Sequence, residues 1–486
     1  MKRALDLACV GFAAFAAGSW LLAAAGHVDD AYGVDHVAGS WLALARSAAE
    51  GTLYPPIYDG ESFGGTRYMP IPIALHGGLG FLIGDHLVAG KLIAYTLMAA
   101  LLVVVLVVLR RGRCSLPVAA LLSATLLVTG TGIIAGTWIR HDTLPVILQL
   151  IAVALVVRST GRNAFVAAGI LCALALAAKL SALWAPLAIG LWLLAHERSR
   201  LPIFATAFVA SAGTLLGTLD AVTRGRLTEN VLGLGLSGAR GVESFDFEQS
   251  RIRLIFGEGL GAARLLVALA LVVVAVTVWR RRLTLYQLAL VVSLPILAVV
   301  LADRGTSYNQ LLDVQVLSIV VLGAAWPTLA PRLRTGMVVA VLATAVVSSV
   351  ENLAPVEAAR ALVETDASRQ PEVARRLDPQ MRILSENPYV PISLGQRPVV
   401  LDAFMLWNIA RRYPEARDDL VRRLDDREFD AVVLFYRPED RRTSSFVRFW
   451  FDTEHFGREI VDAIERNYRL ASPVGGLWIY EPRSGT

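Results

Sequence analysis

The chain has 486 residues, 55% of them hydrophobic, and carries a formal net charge of +5. With a mean hydropathy of +0.55, a soluble globule is excluded, because that much apolar surface needs a bilayer as solvent. The positive balance does not point to nucleic acid either: the arginines gather in short loops between apolar runs instead of alternating with aromatics along a stripe.

In chain order, Met1-Lys2-Arg3 leads into an Ala-rich apolar stretch ending at Gly26. It resembles a signal peptide, but the spans that follow favour a retained first helix. Spans are then expected near 7–26, 86–109, 115–136, 142–158, 163–179, 181–195, 202–219, 263–279, 284–302, 310–328 and 335–352, about eleven crossings. Six basic stretches, namely Lys2/Arg3, 110–113, 158–162, Arg198/Arg200, 280–282 and Arg332/Arg334, fall at alternate turns. By the positive-inside rule they face the cytoplasm, which puts the N-terminus inside and the C-terminal region outside. Residues 71–84 are apolar but too short to cross comfortably, and the cheaper reading is an interfacial helix on the outer face. Cys9, Cys114 and Cys172 form no CxxC pair, so neither a disulfide framework nor a zinc site is expected.

Three outward stretches are long: 27–70, which is aromatic and turn-rich; 220–262, which mixes Gly with Arg; and the region beyond 352. The last is soluble in composition. Strands are expected there at 381–384, 398–401, 429–435 and 477–480, and helices at 403–424 and 455–467. The expected fold class is thus an all-α polytopic membrane bundle (residues 1–352) with a small extracytoplasmic α/β domain (353–486). No solenoid repeat occurs, and the two halves do not mirror each other as inverted-repeat transporters do.

The residues that could carry chemistry cluster in the outward turns. Asp29 and Asp30 follow the first span directly. Paired acids at a membrane edge are costly unless solvated, paired or functional, and one of them, desolvated, suits a general base. A solvated helix end is the bland alternative. In the next outward turn, Arg140-His141-Asp142 could be a simple helix cap. Lys179, at the outer end of a tight helical hairpin, is either a snorkelling side chain or a phosphate anchor. The turn Asp303-Arg304-Gly305-Thr306-Ser307-Tyr308-Asn309-Gln310 frees backbone and hydroxyl donors beside an arginine able to grip phosphate in two places. Asp313 lies one turn into the following span, an uncommon position for an acid. Two or three acids and several cations on one face suit an anionic lipid donor and a base.

These motifs resemble the GT-C-type membrane glycosyltransferases, which include protein O-mannosyltransferases, lipid A aminoarabinose transferases and actinobacterial arabinofuranosyltransferases. The resemblance is carried by Asp29-Asp30-Ala31-Tyr32 and Gly51-Thr52-Leu53-Tyr54 in the first loop. It extends to Arg67-Tyr68-Met69-Pro70-Ile71-Pro72 at the entry to the juxtamembrane helix, to the hairpin over 174–186 with Lys179, and to the turn over 305–313, where Asp313 stands in place of a frequent Glu. It covers about residues 1–352. It implies an inverting transfer from a polyprenyl-phosphate sugar to an acceptor hydroxyl of a glycan, lipid or protein, on the outer face of a bacterial plasma membrane. In the roles it implies, Asp29 or Asp30 is the base, with the leading acid Asp29 favoured. Lys179, Arg140 and Arg304 hold the donor phosphate, and Tyr68, His141, Asp142, Tyr308, Asn309 and Asp313 line the substrate site. Some relatives use a divalent metal, which Asp29, Asp30 and Asp142 could host; no metal or other cofactor is expected here. The rival readings are a transporter or flippase of lipid-linked sugar and a non-catalytic assembly partner.

Overall fold

The computed structural model describes residues 2–159, 161–235, 260–302, 308–364 and 370–483. Its contacts divide the chain into two compact units. One comprises 1–28, 91–218 and 245–366; the other comprises 29–90, 219–244 and 367–486. Each unit is therefore assembled from three separate stretches of chain.

The first unit is helical. Helices α1 (Lys2–Gly26), α4 (His86–Arg111), α7 (Thr143–Arg158), α8 (Arg162–Ala178), α9 (Trp184–His196) and α10 (Leu201–Val222) are joined by Arg264–Trp279, Leu285–Ala302, Leu312–Ala325 and Pro331–Glu364. Six helical segments are long and apolar enough to cross a membrane among the described residues, or seven if a bent pair counts as one. Thr143–Arg158, Arg162–Ala178, Trp184–His196 and Leu285–Leu301 are apolar but shorter, at 1.5 Å of rise per residue less than or close to the thickness of a hydrocarbon core. The helix Leu312–Ala325 is the most enclosed, with Val314 and every residue from there to Gly323 buried. By contrast α1 buries only Cys9, Ala16 and Ala24, and α10 only Phe204 and Ala212, although both are apolar all round. Such exposed apolar surface is what lipid solvates.

The expected span at 115–136 is broken. Helix α5 (Leu116–Ala124), continued by a 3₁₀ turn to Leu127, and helix α6 (Gly130–Thr137) meet at 75°. A Cβ at Gly132 would lie 1.6 Å from the Leu126 carbonyl oxygen, so only glycine permits the bend. Thr129 caps the second segment by accepting from Gly132 N at 3.2 Å, and Gln315 Nε2 donates to the same hydroxyl at 2.7 Å. The break delivers the chain to the turn carrying Arg140, His141 and Asp142.

The second unit joins the first long loop to the C-terminal region. That loop, expected to be turn-rich, contains helix α2 (His36–Ala49), whose Asp35 caps it by accepting from Ala38 N at 2.9 Å. Helix α3 (Pro70–Ile83) coincides with the expected juxtamembrane helix. It leaves Leu75, Phe81, Leu82 and Ile83 exposed, as an interfacial helix does, and His76 contacts the His86 carbonyl oxygen at 2.8 Å.

The C-terminal sheet comprises β1 (Ile383–Ser385), β2 (Ala431–Leu434), β3 (Tyr468–Val474) and β4 (Leu477–Pro482). Its order is β1-β2-β4-β3, with β1 parallel to β2 and the remaining pairs antiparallel. Alternation along β2 sends Val432 and Leu434 into a core with Ile409, Leu420 and Ile464, while Ala431 and Val433 join Val373, Val390 and Ile479 on the other face. Three expectations are corrected. Residues 398–401 form no strand: Val400 makes an isolated parallel bridge to Phe63 of the first loop. The single helix expected over 403–424 is two, Ala403–Arg412 and Pro414–Asp425, since Pro414 can open a helix but not continue one. Finally, β3 is an unexpected edge strand.

Candidate functional site

In the helical unit the polar groups converge on Asp142. A capping role is not what its side chain performs: it makes no hydrogen bond to the first turn of α7. Instead Asp142 Oδ1 lies 2.8 Å from Lys179 Nζ, and Oδ2 accepts from Asn309 Nδ2 at 2.9 Å. Lys179 stands in extended conformation where α8 ends, and Asn309 lies in the short 3₁₀ turn Tyr308–Leu311. One carboxylate thus ties together three turns that are remote in sequence. Both partners are only partly exposed, 18% for Lys179 and 14% for Asp142, so screening by water is reduced without being lost.

Around this knot, Asp313 Oδ1 accepts from Trp184 Nε1 at 2.8 Å. The Tyr308 carbonyl oxygen accepts from Thr131 Oγ1 at 3.3 Å. Arg140 places its guanidinium 5.5 Å from the centre of the Trp138 ring, and His141 beside it is buried. Asp142 is therefore in direct contact with both Lys179 and Asn309, and Asp313 is held by Trp184. Arg304 lies outside the described residues. Two residues of the helical unit escaped the sequence reading, Trp184 at the Asp313 carboxylate and, apart from it, Lys91. Trp184 looks like any apolar residue of a span and gives no signal. Lys91, fully buried five residues into α4, was detectable as a lone cation in an apolar helix.

In the other unit, Asp29 and Asp30 occupy the bend before α2. Asp29 is exposed and Asp30 is buried. Asp30 Oδ1 accepts from Tyr32 N at 2.9 Å, and Val34 N donates to the Ala31 carbonyl oxygen at 3.1 Å. The bend is thus internally hydrogen-bonded, with one acid holding it and the other open to solvent. Tyr68 stacks on Trp41, with ring centres 4.4 Å apart, and its carbonyl oxygen accepts from Tyr54 Oη at 2.8 Å. Tyr54, buried, has its phenol pushed far up by desolvation and stays neutral. Among the described residues no group of three or more His, Cys, Asp or Glu side chains is arranged to hold a metal ion.

No protein-family model matches the chain, and no curated protein matches its sequence. Solved structures do match it. ArnT from Cupriavidus metallidurans bound to undecaprenyl phosphate aligns over 97% of this chain and 97% of its own, with a TM-score of 0.60 at 12% identity. The Archaeoglobus fulgidus oligosaccharyltransferase in the apo form aligns over 97% of this chain and 74% of its own, with a TM-score of 0.54 at 11% identity. Its complex with Zn and sulfate gives 0.53 at 12% identity. At such identities the likeness is one of fold, and it extends through the C-terminal domain. The chain has the GT-C fold of membrane glycosyltransferases.

Proposed function

We propose that this protein is a membrane glycosyltransferase that moves a sugar from a polyprenyl-phosphate donor to an acceptor hydroxyl. What carries the reading is the alignment over 97% of both chains with a protein solved with undecaprenyl phosphate bound, joined to the acids and cations that this chain itself presents. The finer reading follows the sequence: about eleven crossings, the shorter apolar helices included, with the acid-bearing loop and the C-terminal domain on the outer face of the plasma membrane.

Asp29 is the general base. It is exposed on a bend that is already ordered, so an acceptor hydroxyl can reach it, while Asp30 spends its carboxylate on the Tyr32 amide and orients the bend. The acceptor O–H gives its proton to Asp29, and the oxygen attacks the anomeric carbon. The bond from that carbon to the phosphate oxygen breaks with inversion, and polyprenyl phosphate leaves with the electron pair. The leaving phosphate needs fixed positive charge, and Lys179, Arg140 and Arg304 supply it. Lys179 is paired with Asp142, so phosphate reaches it by displacing or sharing that carboxylate. Tyr68, His141, Tyr308, Asn309 and Asp313 complete the substrate site.

The test is transfer by purified protein from a panel of undecaprenyl-phosphate sugars, read by mass spectrometry of the product. Asp29→Asn is expected to lower turnover by about 10²–10⁴, the usual contribution of a positioned base, with Asp30→Asn losing less. Equal product from wild type and both variants would remove the base assignment. Wild-type protein that binds undecaprenyl phosphate yet transfers no sugar would favour the transporter reading.

A further inference from the structure

The C-terminal domain buries an acid–imidazole pair that the mechanism above does not use. Glu386 follows β1 and is fully buried, and His455 is 2% exposed. Glu386 Oε2 accepts from the Phe435 amide at 2.7 Å, and Oε1 accepts from Trp450 Nε1 at 3.0 Å. His455 Nδ1 lies 3.1 Å from the same Oε1, and its ring stacks on Trp450 with centres 3.8 Å apart. A buried carboxylate is tolerated only where donors satisfy it, and here two strongly held N–H groups do so. The result is a three-sided box of Phe435, Trp450 and His455, with Glu386 holding the first two from behind through their N–H groups.

The ring that enters this box belongs to the first loop. His36, the opening residue of α2, sits edge-on to Phe435 at 5.4 Å, to Trp450 at 6.1 Å and to His455 at 5.4 Å. Edge-to-face contact is the favoured geometry for such rings. One turn further on, Gly39 lies so close to the same segment that a Cβ would stand 2.8 Å from both Asn387 Oδ1 and Tyr389 N. At the far end of α2, Arg46 Nη1 donates to the Gln396 carbonyl oxygen at 3.2 Å, and Glu50 meets Arg397 at 2.7 Å. The whole of α2 is therefore registered on the C-terminal domain. Six residues before His36, through the hydrogen-bonded bend, stands Asp30.

We infer that His36, seated in the Glu386-backed aromatic box, is a positioning residue for the Asp29–Asp30 bend, so that the C-terminal domain sets the aim of the base. The inference rests on the assignment of Asp29 above. A base displaced by about 1 Å loses around a hundredfold in rate while the donor's binding contacts are untouched. The device therefore acts on kcat and leaves donor KM alone. A merely structural contact would lower the yield of folded protein without splitting the two constants.

The experiment measures kcat and donor KM for purified wild type, His36→Ala, His36→Phe and Asp29→Asn, with an undecaprenyl-phosphate sugar that the wild type transfers. His36→Ala is expected to lose about ten- to a hundredfold in kcat with donor KM unchanged within about twofold. His36→Phe, which refills the box with a ring, is expected to recover most of the loss. Because His36 is only partly buried, both variants test the contact without opening the core, as Glu386→Gln would. Wild-type kcat in His36→Ala, or a loss that His36→Phe does not repair, overturns the inference. Asp29→Asn separates the two readings: if it is inactive while His36→Ala is unaffected, only the positioning role falls. If no undecaprenyl-phosphate sugar of the panel is transferred by wild type, the assigned function falls with it.

Discussion

At the scale of single residues, the proposed function makes the Asp142–Lys179 pair the place where donor phosphate is received. An ammonium that already has a carboxylate at 2.8 Å is positioned at the cost of being partly neutralised. Lys179→Ala is expected to weaken undecaprenyl phosphate binding about ten- to a hundredfold, the loss of one charge-assisted contact. Asp142→Asn should act with the opposite sign. Its amide oxygen can still accept from Asn309, but the competing charge is gone, so binding is expected to tighten roughly two- to fivefold, the worth of a partly exposed ion pair. Titration of undecaprenyl phosphate in detergent measures both. Weaker binding by Asp142→Asn would mean that the carboxylate aims Lys179 and does not compete with the ligand.

At the scale of elements, helix ends carry much of the arrangement. Asp402 opens the helix Ala403–Arg412 by accepting from Phe404 N at 3.1 Å. Burial pushes its pKa above the ordinary carboxylate value, outweighing the attraction of Arg67 and His455. The folded protein therefore keeps a proton that the unfolded chain has already lost, and this group's contribution to stability declines as pH rises from about 3.9 through the raised folded value. Asp402→Asn retains a good cap without the buried charge. Its melting temperature at pH 7 is expected to equal or exceed that of wild type, with the difference closing below about pH 4. A lower melting temperature at pH 7 would show that attraction to Arg67 and His455 dominates after all.

At the scale of the whole molecule, the positive-inside rule makes a commitment about sidedness that fold likeness leaves open. Cys9, Cys114 and Cys172 are all buried, so single cysteines introduced at exposed positions report alone. Gly60→Cys, in the first loop, and Arg442→Cys, in the C-terminal domain, are expected to react with a membrane-impermeant maleimide in intact cells. Arg282→Cys is expected to react only after lysis. Protection of Gly60→Cys, or labelling of Arg282→Cys from outside, would reverse the orientation.

What the sequence determined by itself is the membrane bundle, its basic turns, the short apolar helix over 70–83 and a small sheet in the C-terminal region. These follow from hydropathy and charge, which act locally and add along the chain. The paired acids and the helical hairpin at Lys179 were equally legible, because charged residues stand out in apolar surroundings. The tertiary structure alone decided which partners those residues meet. Asp142 and Asn309 are 167 positions apart, Trp184 and Asp313 129 apart, and no periodicity encodes such pairs. It alone also decided that Asp142 bridges where it might have capped, that Asp30 is buried while Asp29 is not, and that α2 rests on the C-terminal domain. Strand β3 escaped notice because Arg469, Ser472 and Pro473 suit an edge, where hydrophobic alternation is weak and proline is tolerated. Its place was set by hydrogen bonds to β4. Pairing of backbone and side chains across such distances depends on the packed arrangement of the chain, and local sequence does not carry that information.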